Sequence, residues 1–240
     1  MDKKISLVEH LQDLRKSIVI SIVALVIGCI IGFTYAPLIL EFLKKPLPVQ
    51  QMAFFNPVEA FLVNLKVAVL VGFVLAFPVI ISSFAWFVAP GLTKKEKKII
   101  SILSITSVLL FIFGAVIATL AAMPIALKFL FEFSPEIMQP YISIQYYYSF
   151  FITFILVFGL SFQLPIILLA LAFLGIIDHL FLKKNRKYVL LAIFSLSIML
   201  APGTELLSQL ILFVPLYLLY EITILVLKFI SKKSLTTEVN

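Results

Sequence analysis

Long uncharged runs separated by short basic clusters are the feature that leaves this chain the fewest choices. Ser17 to Leu40 is 24 residues without a single ionisable acid, base or histidine. About 20 helical residues suffice to cross a ~30 Å hydrocarbon core. Further apolar runs occupy Val67–Leu92, Ile99–Leu127, Tyr146 to about Ile177, and Tyr188–Leu227. In hydrocarbon the chain must satisfy every amide and carbonyl itself, so such runs fold as helices. The expected fold class is an all-α polytopic membrane protein. With 62% apolar and 13% charged residues, the chain falls outside the soluble norm of roughly half and a quarter.

The net charge of +7 does not mark a nucleic-acid binder, because the cations form no basic face with interleaved aromatics. They cluster between the runs instead: Lys3, Lys4, Arg15 and Lys16; then Lys94 to Lys98; then Lys183 to Lys187; then Lys228, Lys232 and Lys233, together 15 of the 19. The positive-inside rule puts all four clusters on the cytoplasmic face. Each neighbouring pair must then be separated by an even number of spans. The last apolar block has to cross twice, and Ala201-Pro202-Gly203-Thr204-Glu205 supplies the break. Six transmembrane helices with both termini inside follow, as one membrane domain over 1–240. Residues 1–16 form a cytoplasmic amphipathic helix; spans cover approximately 17–38, 65–89, 99–124, 146–176, 188–200 and 206–227; 228–240 is a cytoplasmic tail. The fifth and sixth spans are expected to be short; the fifth has 13 residues from Tyr188 to Leu200, or about 20 Å. Bilayer thinning or flanking elements have to cover the mismatch.

The N-terminal stretch is the densest in signals. Ser6 and Glu9 spell a capping box, and Leu7, Leu11, Leu14 and Ile18 line one helical face. Glu9, His10, Asp13 and Lys16 take the other, as in a helix that lies on a membrane and turns into a span. Asp13 is a candidate site residue or a solvated one paired with its basic neighbours. Glu96, the one acid among four lysines, either balances charge or joins Asp13 in receiving a cationic peptide. A carboxylate can grip a guanidinium bidentately, whereas lysine offers a point charge. Gln163 sits inside the fourth run, as interhelical glue or as the lining of a polar cavity. Glu221 lies near the end of the sixth, and Glu205, Ser208 and Gln209 mark its start. No catalytic, phosphate-binding or metal-ligand pattern appears, so neither an enzyme nor a cofactor is expected. Cys29, the single cysteine, permits no intrachain disulfide; a buried small side chain fits better than the lipoprotein-like site that Gly28-Cys29 faintly spells.

Five stretches in order resemble the TatC family, the receptor subunit of the twin-arginine protein translocase. His10-Leu11-Gln12-Asp13-Leu14-Arg15 is similar to its H-L-x-E-L-R. Phe87-Val88-Ala89-Pro90-Gly91-Leu92 with Glu96 resembles its F-x-x-P-A-L and following acid. Phe158 to Pro165 resembles F-G-x-x-F-E-x-P, and Ala201-Pro202 through Gln209 and Tyr220-Glu221-Ile222 complete the set. The resemblance implies a concave receptor-like bundle in the cytoplasmic membrane of a prokaryote. It would bind twin-arginine signal peptides of folded precursors through Asp13, Leu14, Arg15, Phe87 and Glu96. It implies single-span partners of the TatA and TatB type, an oligomeric complex, membrane lipids around it and a drive from the proton-motive force. Gln163, Glu205, Ser208 and Gln209 would serve as intramembrane or partner-helix polar groups, and Pro46 and Pro78 as structural residues.

Three positions depart from that pattern: Asp13 and Gln163 each stand where the family has Glu, and Glu205 where it has Asp. Gln163 can hydrogen-bond but cannot titrate. The alternative function, a secondary transporter of small solutes, would need a midplane site around Gln163 and internal repeats that the chain lacks.

Overall fold

The computed structural model describes residues 7–47, 52–53, 55–132, 142–200 and 206–237. Nine α-helices follow among them: α1 (Leu7–Lys44), α2 (Pro57–Val88), α3 (Lys94–Ile117), α4 (Met123–Glu132), α5 (Ile144–Ser161), α6 (Leu164–Phe173), α7 (His179–Lys184), α8 (Arg186–Leu200) and α9 (Leu206–Thr237). A π-helical segment, Ala118–Ala122, joins α3 to α4, and α5 and α6 are two pieces of one apolar run. Two-residue strands β1 (Met52–Ala53) and β2 (Ile142–Ser143) pair in parallel and tie the two long loops together. The chain is an all-helical, multi-pass membrane protein. Five helices are long and apolar enough to cross a membrane. The expected fifth span corresponds to α8, whose 15 residues reach only about 22 Å and which is not among those five.

Lipid removes most of the hydrophobic drive for helix association, so close backbone approach and polar links must hold the bundle. α1 and α2 show the first device. A Cβ on Gly28 would lie 2.7 Å from the Gly72 carbonyl oxygen, and one on Gly32 2.6 Å from that of Ala68. Small residues four apart on both helices let the backbones touch, antiparallel and in matched register. Apolar side chains such as Ile22, Val26 and Ile30 stand exposed to lipid on α1. The central core is aromatic. Phe77 stacks on Phe111 at 4.1 Å, and Phe151, Phe154 and Phe158 are buried along α5.

Several helix ends differ from the sequence expectation. The amphipathic stretch is not a separate helix: α1 runs unbroken through Lys16 and Ser17, where nothing interrupts its hydrogen-bond ladder. It continues to Lys44, and α2 starts at Pro57 rather than near residue 65, capped by Asn56, whose side chain accepts from Val58 N–H. Glu59, expected in a loop, is thus helical and buried, facing Ser143 Oγ at 3.4 Å. α9 runs on to Thr237, beyond the expected end of the sixth span at 227, so the sixth span is not short: Gln209–Phe229 alone is long enough to cross. α6 closes on Gly175, whose φ of 73° admits the left-handed turn that a side chain would resist.

Candidate functional site

The matched register of α1 and α2 builds one end of the molecule. The Ser17 hydroxyl, 5% exposed, donates to the Ser83 carbonyl at 3.1 Å, and the His10 ring stacks on Phe87 at 4.4 Å. These contacts set the Asp13 turn of α1 level with the last turn of α2. Leu14 and Phe87 line a common apolar pocket of about 200 Å³ with Ile18, Ile80 and Phe84. Asp13 is half-buried and Arg15 exposed; neither makes a hydrogen bond or ion pair among the described residues. Lys16 lies over the Trp86 ring, its Nζ 5.0 Å from the centroid.

Beyond Phe87 a 3-10 turn, Ala89–Gly91, leads into α3. Thr93 caps that helix in a reciprocal box: its hydroxyl accepts from Glu96 N–H, while Glu96 Oε2 accepts from Thr93 N–H at 2.7 Å and from the Thr93 hydroxyl at 2.9 Å. The Thr93 backbone N–H first, and its hydroxyl second, hold the Glu96 carboxyl below its usual pKa. The Glu96 carboxylate therefore stays charged, with Oε1 free of hydrogen bonds among the described residues. It also borders a crevice with Leu92, Leu103 and Phe173, on the α6 side. Asp13, Leu14, Arg15, Phe87 and Glu96 thus share one end of the bundle. Only Leu14 and Phe87 share a pocket wall, and no contact joins the two acids.

Gln163 lies at the break between α5 and α6 and is tied to α3. Its Oε1 accepts from the Ser107 hydroxyl; its Nε2 donates to the Ser107 carbonyl at 3.2 Å and the Gly159 carbonyl at 3.4 Å. Pro46 lies in the turn just after α1 and lines a pocket with Pro124 and Phe131; Pro78 sits inside α2, with the Ser82 hydroxyl donating to its carbonyl at 2.7 Å. Gln209 is half-buried on α9. Glu205 and Ser6 lie outside the described residues, and Ser208 is described only as part of the α9 backbone.

Three features escaped the sequence reading. Thr93-x-x-Glu96 is as plain a capping box as Ser6-x-x-Glu9 and was legible. The His10–Phe87 stack depends on register and was not. Nor was the cluster at the far side of the bundle, where Arg186 donates to Glu221 at 2.7 Å and the Tyr217 hydroxyl to the same carboxylate at 3.0 Å. No grouping of metal-binding side chains occurs among the described residues.

Comparison with known proteins identifies one family. The family model described as Sec-independent protein translocase protein (TatC) matches residues 9–215. The Sec-independent protein translocase protein TatC of Carboxydothermus hydrogenoformans is 44% identical over 99% of this chain and 98% of its own length. That of Aquifex aeolicus is 36% identical over 95% and 96%. A crystal structure of a twin arginine translocase receptor, TatC, superimposes with a TM-score of 0.82 at 35% identity, covering 91% of this chain and 99% of the other.

Proposed function

The chain belongs to the TatC family of Sec-independent protein translocase proteins, and from that premise we propose how it receives its substrate. As a family member it is a receptor subunit of the twin-arginine translocase, a multi-pass membrane protein and not an enzyme. In the proposed reading, Asp13 and Glu96 take the two guanidinium groups of a twin-arginine signal peptide. Leu14 and Phe87 supply the apolar floor beside them, and Arg15 repels misaligned cations. The supporting observation is the His10–Phe87 stack at 4.4 Å, which brings the Asp13 turn beside the loop that carries Glu96. Glu96 has one oxygen committed to Thr93 and one available, the arrangement a second charge-assisted hydrogen bond requires.

The same reading puts both termini and this end of the bundle at the cytoplasmic face of a prokaryotic inner membrane, following the distribution of lysine and arginine. Single-span TatA- and TatB-type subunits are the proposed partners. They would dock on the short α8 and the start of α9, around Gln209, Ser208 and Glu205, in a complex driven by the proton-motive force. A transporter of small solutes is not favoured, because its midplane residue, Gln163, is already tied to Ser107 and Gly159.

Binding of a twin-arginine peptide and its twin-lysine version to the protein in lipid nanodiscs tests the assignment. The arginine form is expected to bind roughly tenfold more tightly, the cost of losing one charge-assisted pair. Asp13→Ala and Glu96→Ala should each erase that preference. Equal affinities, unmoved by either substitution, would overturn it.

A further inference from the structure

A second groove lies on the opposite flank of the α1–α2 seam, and the signal-peptide reading does not use it. Ile20 of α1 and Pro78, Val79, Ser82, Ser83 and Trp86 of α2 line an open pocket of about 360 Å³. Two of its polar groups are engaged internally: the Ser82 hydroxyl donates to the Pro78 carbonyl, and the Ser83 carbonyl accepts from Ser17. Its walls are mainly apolar. The mouth is different. Lys16, one turn above Ile20, holds its ammonium 5.0 Å over the Trp86 ring and makes no ion pair among the described residues. The nearest acid along α1, Asp13, lies about one turn away.

We infer that this groove binds one anionic phospholipid, with an acyl chain along Ile20, Val79 and Pro78 and its phosphate at Lys16. Three arguments carry the assignment. From Trp86 to Pro78 the groove spans eight residues of α2, about 12 Å, which fits most of one leaflet's roughly 15 Å of hydrocarbon. Tryptophan at the headgroup level is the normal interfacial anchor, and basic pockets between spans recognise anionic headgroups. The cationic mouth repels the arginines of a signal peptide, so a peptide and this groove are mismatched in charge. The choice of leaflet rests on the orientation proposed above; the site itself does not.

Native mass spectrometry of the detergent-purified full chain, titrated with palmitoyl-oleoyl phosphatidylglycerol or phosphatidylcholine, tests this directly. The wild type should retain one phosphatidylglycerol in preference to phosphatidylcholine. Lys16→Gln should weaken retention by about fivefold, the worth of one interfacial cation, while Lys16→Arg should restore it. Val79→Trp should block the groove and abolish retention with the melting temperature in detergent kept. Equal retention of both lipids, or retention indifferent to Lys16→Gln, would overturn the inference. So would stoichiometric displacement of the lipid by a twin-arginine peptide, which would give the groove to the peptide. Peptide titrations of the same variants separate this test from the receptor reading, since none of the substituted residues belongs to the proposed peptide site.

Discussion

The α1–α2 hairpin and the α8–α9 hairpin each hold two antiparallel apolar helices together, by opposite means. In the first, Gly28 faces Gly72 and Gly32 faces Ala68, so the backbones touch, and the side-chain links gather at one end: Ser17 to Ser83, His10 on Phe87 and Lys16 over Trp86. In the second, neither helix contains a glycine. Side chains bridge the gap there: Phe194 meets Phe213 edge-on at 5.6 Å, and Arg186 of α8 reaches Glu221 of α9, which Tyr217 on the same helix also holds. Backbone contact is dry, insensitive to salt and intolerant of any added atom. A seam made of side chains tolerates bulk but depends on charge and geometry. The signal-peptide surface is proposed on the stiff hairpin and the partner-docking face on the adjustable one.

The largest effect should come from adding volume to the stiff seam. A Cβ at position 72 would lie 2.6 Å from the Cys29 backbone nitrogen. Gly72→Leu should therefore cost about 3 kcal/mol or more. Ala192→Leu adds nearly as much bulk, one carbon less, at an exposed position of α8 and should stay within about 0.5 kcal/mol. Thermal unfolding of both variants in one detergent makes the comparison. If they melt together, the two seams do not differ as described.

Charge should break the other seam next. The Arg186 side chain is 45% exposed and that of Glu221 25%, between the surface and buried cases, so Arg186→Ala should cost about 1–2 kcal/mol. Arg186→Glu with Glu221→Arg should recover part of the loss in a double-mutant cycle. Independent, additive losses would mean that the pair contributes nothing to joining α8 and α9.

The contrast between the hairpins also marks what could be read from the chain. Hydrocarbon forces helices on any long uncharged run, so the helical membrane class was legible from Ser17–Leu40 onward, and the basic clusters supplied an orientation. Residues close in sequence were legible too, which is why Asp13, Leu14 and Arg15 could be grouped with one another. Pairs such as Gly28 with Gly72, Ser107 with Gln163 and Arg186 with Glu221 were not. Periodicity says which face a residue takes but not what lies opposite, and an apolar side chain pays nothing for facing lipid. Helix ends were obscure for a related reason. Beyond the hydrocarbon, Lys44 and Asn56 can extend or cap a helix without any change in hydropathy.

Gln163 sharpens the comparison as a polar link without charge. Gln163→Leu removes the contacts to Ser107 and Gly159 and should cost about 1 kcal/mol, the usual size of an interhelical hydrogen bond in a bundle. Ser107→Ala on the same background should then cost clearly less than in the wild type. Full additivity would show that the two side chains act separately and that the α5–α6 break needs no tie to α3. The loss should not change with pH, since neither side chain titrates.

The smallest effect belongs to the Thr93–Glu96 cap, which joins the stiff hairpin to α3. Glu96 has a lowered pKa in the folded protein, caused first by the Thr93 N–H and then by the Thr93 hydroxyl. A carboxyl depressed on folding favours the native state while it is ionised. Its contribution is complete above the unfolded value, about 4.3 for glutamate, and drains away as pH falls through the folded value. The wild type should therefore lose stability faster than Glu96→Gln on going from neutral to acid pH. Signal-peptide binding should fall over the same range, since a protonated Glu96 cannot pair with a guanidinium. Parallel curves for the two proteins would mean that Glu96 is no better held in the native chain than in the unfolded one. In that case Glu96 would be a surface acid whose only remaining role is the proposed contact with the peptide.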